Sequence, residues 1–240
     1  MPSTHLESAF LDYLASTSCQ EGGDQLPSLH ELSDLLGLSV SALREQLEVA
    51  RALGLVEVRP RTGIRRLPYS FYPAVKMSLV YALRLSPHNF QSFADLRNRL
   101  EDAYYTSAVK RLTPQDQLEL QQLMKRAWEK LHGDPIQIPH EEHRQLHLLI
   151  FCRLDNPFVK GILEAFWEAY ETVGLSLYAD YDYLQQVWNY HQQIVDAICA
   201  GDDEAGHQAL IAHKDLLSHR KINDRRDDDR TTSSNSFSGK

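Results

Sequence analysis

The chain has 240 residues, 42 % of them apolar, with a mean hydropathy of −0.42 and a formal net charge of −8. Its most apolar stretch, LHLLIFC at 146–152, is far too short to span a bilayer. The negative total excludes a uniformly basic nucleic-acid binder, yet residues 1–68 concentrate six arginines between Arg44 and Arg66, where only three acids occur.

Segment 5–17 reads as a helix with Leu6, Phe10, Leu11 and Leu14 on one face. EGGDQLPS (21–28) is a loop, and SLHELSDLL (28–36) a short helix. Gly37 breaks that helix and Ser39 caps the next, whose buried stripe is Val40, Leu43, Leu47 and Ala50. Gly54 ends it. The second helix then exposes Ser41, Ala42, Arg44, Glu45, Glu48 and Arg51. LVEVRPRTGIRRL (55–67) alternates around a Pro-Arg-Thr-Gly turn and predicts a two-stranded wing bearing Arg59, Arg61, Arg65 and Arg66.

Residues 69–76 are expected to be a linker, because prolines flank LPYSFYP (67–73). From 77 to 220 no strand pattern interrupts the helical one. Thr113, Pro114 and Asp116 form a capping box with proline at the first position. Asn156 and Pro157 start another helix, and Asp202 caps one after the turn at Gly201. The fold expected is mainly α: a winged helix-turn-helix over 1–68, the linker, and an antiparallel bundle of six to seven helices over 77–220. The charged, serine-rich tail 221–240 is expected to be disordered. The opening MPSTHLESAF shows no basic region followed by an apolar run. Cys19, Cys152 and Cys199 have no disulfide spacing, so a cytoplasmic location is expected.

Helix, wing and local basic charge together point to double-stranded DNA. A recognition helix reaches base edges in the major groove, and wing arginines reach phosphates or a minor groove. A small fold with solvated arginines is the bland alternative. The run LPSLHELSDLLGLSVSALREQLEVARALGLVEVRPRTGIRR resembles the winged helix of the GntR superfamily, matching at Leu26, Pro27, Ser28, Leu32, Leu36, Gly37, Ser39, Arg44, Glu45, Leu47, Gly54 and Gly63. His30 and Val40 stand where the family usually has DNA-touching arginines, which implies weaker binding or an altered operator. The DNA-contact candidates are Ser28, Ser39, Ser41, Arg44, Arg61 and Arg65.

HEEHRQLH (140–147) raises a second chemistry. His143 and His147, four apart, share one helix face. His191 and His213 lie about ten and eleven residues either side of the Gly201–Asp202 turn, each about 15 Å from it. An antiparallel hairpin therefore sets them level, and apolar neighbours put both on the inner side. One such histidine is ordinarily a core-edge residue satisfied by a carbonyl. Four with matched placement favour a divalent transition metal, Zn²⁺, Ni²⁺ or Co²⁺, with zinc or nickel foremost.

DLRNRLEDAYYTSAVKRLT (95–113), HRQLHLLIFCRLDNPFV (143–159) and YHQQIVDAICAGDDEAGHQALIAH (190–213) resemble the FCD effector domain of the FadR branch. The resemblance implies a homodimeric, ligand-responsive transcription regulator, more in the manner of a repressor. It also implies a metal on His147, His191 and His213, with His143 at the family's aspartate position. Arg97 falls on the cavity arginine, implying a small carboxylate effector held by its fork. The aromatics Tyr104, Tyr105, Trp167, Tyr170, Tyr178, Tyr181, Tyr183 and Trp188 read as core and dimer interface or as pocket lining. Rival readings are a regulator that senses the metal itself, and a metal-dependent hydrolase. The hydrolase would need an acid or base, and Glu142 points about 100° from His143 on a helix.

Overall fold

The structure, a computed structural model, describes residues 8–17, 24–172 and 181–218. The expected tail at 221–240 and Tyr178 lie outside them.

The first unit builds three helices and a hairpin around a small apolar core. Helix α1 (Ala9–Ser16) starts where Ser8 accepts from the Leu11 N–H. Helix α2 (Leu29–Leu36) starts at Ser28, whose hydroxyl and Glu31 form a reciprocal capping box. Gly37 closes it in the left-handed conformation, φ 64°. Helix α3 (Val40–Ala52) starts at Ser39, which accepts from the Ala42 N–H at 3.2 Å. Strands β1 (Val56–Arg59) and β2 (Gly63–Arg66) pair antiparallel, Val56 against Arg66 and Arg59 against Gly63. Phe10, Leu26, Leu32, Leu43, Leu47, Ala50, Val56 and Ile64 are buried together, so one apolar line from each element makes the core. Val40, expected in that line, is only partly buried.

A helix begins inside the stretch expected as a linker, 69–76. Helix α4 runs Tyr72–Leu85. Pro73 sits in its first turn, where a missing N–H costs nothing, so this proline starts a helix instead of bounding a linker. Pro73 also closes on the winged helix: a Cβ at Gly54 would stand 2.5 Å from its Cγ. On the other side, a Cβ at Gly161 would stand 2.7 Å from the Tyr72 nitrogen.

Six more helices follow among the described residues: α5 (Asn89–Val109), α6 (Pro114–Leu131), α7 (His140–Ile150), α8 (Pro157–Thr172), α9 (Tyr181–Ala200) and α10 (Asp203–Ser218). Their start signals match the sequence cues. Thr113 and Asp116 form the capping box of α6. Asn156 Oδ1 accepts from Phe158 and Val159 at the start of α8. Asp202 caps α10 by accepting from Ala205 at 3.0 Å. Asp116 also holds Arg153 through two bonds of 2.9 Å, tying α6 to the turn after α7. A large core joins α5, α6, α7, α9 and α10 around Trp188, Leu146, Ile150, Ile194 and Leu210. A second one packs α4 against α5 and α8 through Leu79, Leu83, Phe90, Phe166 and Trp167. The candidate centre lies where these two layers meet.

Candidate metal centre and nucleic-acid interface

Four helices deliver the centre. Helix α7 supplies His143 and His147, α9 supplies His191, α10 supplies His213, and α5 brings Arg97 and Glu101 beneath them. One ligand atom from each of the four histidines lies within 4.8 Å of the other three. His147 Nε2 is 3.2 Å from His191 Nε2, which is 3.1 Å from His213 Nε2. Arms of about 2.0–2.1 Å to a tetrahedral zinc set an edge of roughly 3.3 Å, so these spacings suit one ion. His143 Nε2, His191 Nδ1 and His213 Nδ1 are buried with no hydrogen-bond partner. Carbonyls do not satisfy these rings, contrary to the bland expectation for core-edge histidines. Nitrogens that converge on one another leave lone pairs that protons alone satisfy poorly. The residues present therefore fit a divalent transition metal.

Burial pulls all four imidazoles well below their usual range, and neighbouring histidines with Arg97 and Lys214 reinforce it. They stay neutral near pH 7, the form in which a ring nitrogen ligates. Aromatic walls set this environment. Around the His143 ring lie Trp167, Tyr170 and Trp188, at centroid distances of 4.7, 6.1 and 5.9 Å. Of the aromatic set, these three line the centre, whereas Tyr105 stacks on His207 away from it.

Arg97 is 1 % exposed. Its guanidinium lies 4.6 Å from the Phe166 ring centre and 5.9 Å from that of Trp167. One terminal nitrogen meets Glu101 Oε1 at 2.8 Å and His147 Nδ1 at 2.9 Å, and the other donates to Asn98 Oδ1 at 3.2 Å. Burial lowers its pKa, but a guanidinium remains charged in proteins. Sequence reasoning missed Glu101, also 1 % exposed, and Lys214, which donates to the Asn98 carbonyl. The i, i+4 spacing of Arg97 and Glu101 was legible, but such pairs ordinarily lie on a wet surface. Glu142 does not join the histidines: its carboxylate bonds Lys130 of α6 at 2.7 Å.

On the first unit, Ser28, Ser39, Ser41, Arg44, Arg61 and Arg65 are all exposed. Arg44, on α3, and Arg61, at the wing tip with φ 71°, have no ion pair among the described residues. Arg65 is held by Asp24 at 2.8 Å and lies 3.8 Å from Glu57. Arg66 is turned onto Thr17 and serves the fold.

A helix-turn-helix with a hairpin wing, joined to a helical bundle that buries a charged, metal-ready centre, defines a DNA-binding regulator with a sensing domain. Residues 92–216 match the FCD domain family. The chain is 25 % identical over 208 residues to the uncharacterised HTH-type transcriptional regulator YcbG of Bacillus subtilis (strain 168), covering 84 % of this chain and 82 % of the relative. It is 23 % identical over 205 residues to the HTH-type transcriptional regulator LutR of the same organism, covering 82 % and 92 %. It is 28 % identical over 202 residues to the uncharacterised HTH-type regulator YieP of Escherichia coli (strain K12), covering 80 % and 84 %. A solved structure described as Streptococcus agalactiae GntR shares the fold at a TM-score of 0.62 and 20 % identity, covering 87 % of this chain and 95 % of that one.

The chain belongs to the FCD-domain family, and the relatives that it matches over most of its length are HTH-type transcriptional regulators. These relatives are regulators and not enzymes, so the hydrolase reading is set aside. No helix among the described residues is long and apolar enough to cross a membrane.

Proposed function

We propose that this regulator is a homodimeric cytoplasmic repressor. It holds zinc or nickel on His143, His147, His191 and His213, and its effector is a small carboxylate received at Arg97. The convergence of four imidazoles, three buried and His143 half-buried, beside a buried guanidinium carries the reading. When bound, the ion supplies a Lewis-acidic point that an effector oxygen can join. Arg97 orients the carboxylate through its planar fork, while Trp167, Tyr170 and Trp188 exclude water and strengthen both contacts. Effector binding changes operator affinity by favouring one spacing of the two winged helices.

The DNA surface is the N-terminal half of α3 with the wing. Ser39 and Ser41 present hydroxyls at the start of α3, where a helix N-terminus favours phosphate. Ser28 does the same at α2. Arg44 reaches into the groove, and Arg61 and Arg65 reach the backbone from the wing. A second copy fits the apolar stripe of α4, where Met77, Tyr81 and Leu85 recur every fourth residue and are 49, 66 and 70 % exposed.

Metal content of untagged protein, measured by mass spectrometry, tests the reading. About one zinc or nickel per chain is expected, and its loss in a His191→Ala/His213→Ala variant. A metal-free, folded, DNA-binding protein would overturn it. Operator affinity that responds to the metal with no organic ligand would favour a sensor of the metal itself.

A further inference from the structure

The ring of His147 faces two groups that ask opposite things of it. Its Nδ1 lies 2.9 Å from a terminal nitrogen of Arg97 and 3.3 Å from Oε1 of Glu101. A guanidinium can only donate, so a bond from Arg97 requires a lone pair on Nδ1 and the hydrogen on Nε2. An ionised carboxylate can only accept, so a bond to Glu101 requires the hydrogen on Nδ1. On the far edge of the same ring, Nε2 faces His191. A metal on that edge needs the Nε2 lone pair, which forces the hydrogen to Nδ1, and only Glu101 can then accept it.

Charge points the same way. Four neutral imidazoles neutralise nothing of a divalent ion, and Arg97 and Lys214 add two buried positive charges nearby. Among the described residues the buried carboxylates are Glu101, Asp116 and Glu142. Asp116 is committed to Arg153 and Glu142 to Lys130. Glu101 is therefore the one buried carboxylate at the centre. Its Oε2 is buried without a partner, so it retains accepting capacity.

Resting on the metal reading above, we propose that Glu101 is a positioning residue for the metal. It accepts the Nδ1 hydrogen of His147, fixes the tautomer that offers Nε2 to the ion, and supplies from behind the ligand the negative charge that His143 cannot supply as a ligand. The arrangement is a carboxylate–histidine–metal relay, of the kind that orients a ligand ring and raises its basicity. Once His147 donates to Glu101, the Arg97 hydrogen aimed at Nδ1 loses its acceptor. It becomes available to an external anion, so metal loading prepares Arg97.

The test uses the full chain and zinc alone. Zinc affinity is measured by competition with a chromophoric chelator for the wild type, for Glu101→Gln and for the charge-neutral pair Arg97→Met/Glu101→Met. The His147 tautomer is read from imidazole ¹⁵N chemical shifts of the zinc-loaded wild type. We expect one zinc per wild-type chain, His147 carrying its hydrogen on Nδ1, and affinity about 10- to 100-fold lower in both variants. The double variant leaves no unpaired buried charge, so it answers the case in which Glu101→Gln does not fold. A wild type that binds no zinc removes the metal reading and this role with it. A wild type that binds zinc, with both variants within threefold of it or with His147 ligating through Nδ1, removes the role of Glu101 alone.

Discussion

His191 Nε2 and His213 Nε2 stand 3.1 Å apart, though one is on α9 and the other on α10. The turn at Gly201, φ 72°, and the Asp202 cap bring them level, and an apolar lining keeps both neutral. Zinc added to metal-stripped protein should therefore raise its stability by about 2.7 kcal/mol at a free concentration of a hundred times Kd. The His191→Ala/His213→Ala variant should show no such rise. Thermal melting with and without zinc measures both, and an equal gain in the variant would place the ion elsewhere.

Acid should weaken the metal-stripped domain. In the unfolded chain histidines titrate near the ordinary value of about 6.5. In the fold, burial holds all four well below it. The folded pKa values are depressed, so as pH falls through about 6.5 the unfolded chain takes up protons that the native chain does not. The stability is present above that pH and declines below it, by up to about 1.4 kcal/mol per pH unit for each histidine involved. Urea midpoints at a series of pH values from neutral downward check the sign. A flat profile would mean that the rings are not held neutral.

The two arginines without an ion pair should separate by what they read. Arg44→Ala is expected to cost roughly 1–3 kcal/mol on a selected operator and to relax sequence preference. Arg61→Ala should weaken binding to all sequences alike and lower the salt slope by about one. Fluorescence anisotropy on selected and scrambled duplexes over a range of salt distinguishes them. Equal losses on both duplexes for Arg44→Ala would remove it from the base-reading role.

Gly161 has no room for a side chain. An alanine Cβ would sit 2.7 Å from the Tyr72 nitrogen and 2.9 Å from Phe71, and backbone there cannot swing aside. Gly161→Ala should cost about 1–3 kcal/mol through displaced packing of α8 on the start of α4. Because that start bears Pro73 against Gly54, the same change should also alter operator affinity. Melting temperature and operator binding, measured together, test the two effects. An unchanged melting temperature would show that α8 does not pack tightly on the start of α4.

The sequence by itself determined what depends on neighbours along the chain. Ser39, Thr113, Asn156 and Asp202 cap the helices they were expected to cap, because a cap is a bond across three residues. The alternating run around Pro60–Gly63 made the wing, and the i, i+4 spacing put His143 and His147 on one face. Pro73 misled because one proline can bound a linker or open a helix, and only packing of α4 against α8 decided between them. Tertiary structure alone decided which groups lost their water. It placed Arg97 and Glu101, an ordinary surface spacing, beneath the histidines at 1 % exposure. It also brought Trp167 of α8 to one side of His143 and Trp188 of α9 to another. Burial is a property of several helices at once, and it is burial above all that holds these four rings below their usual pKa range.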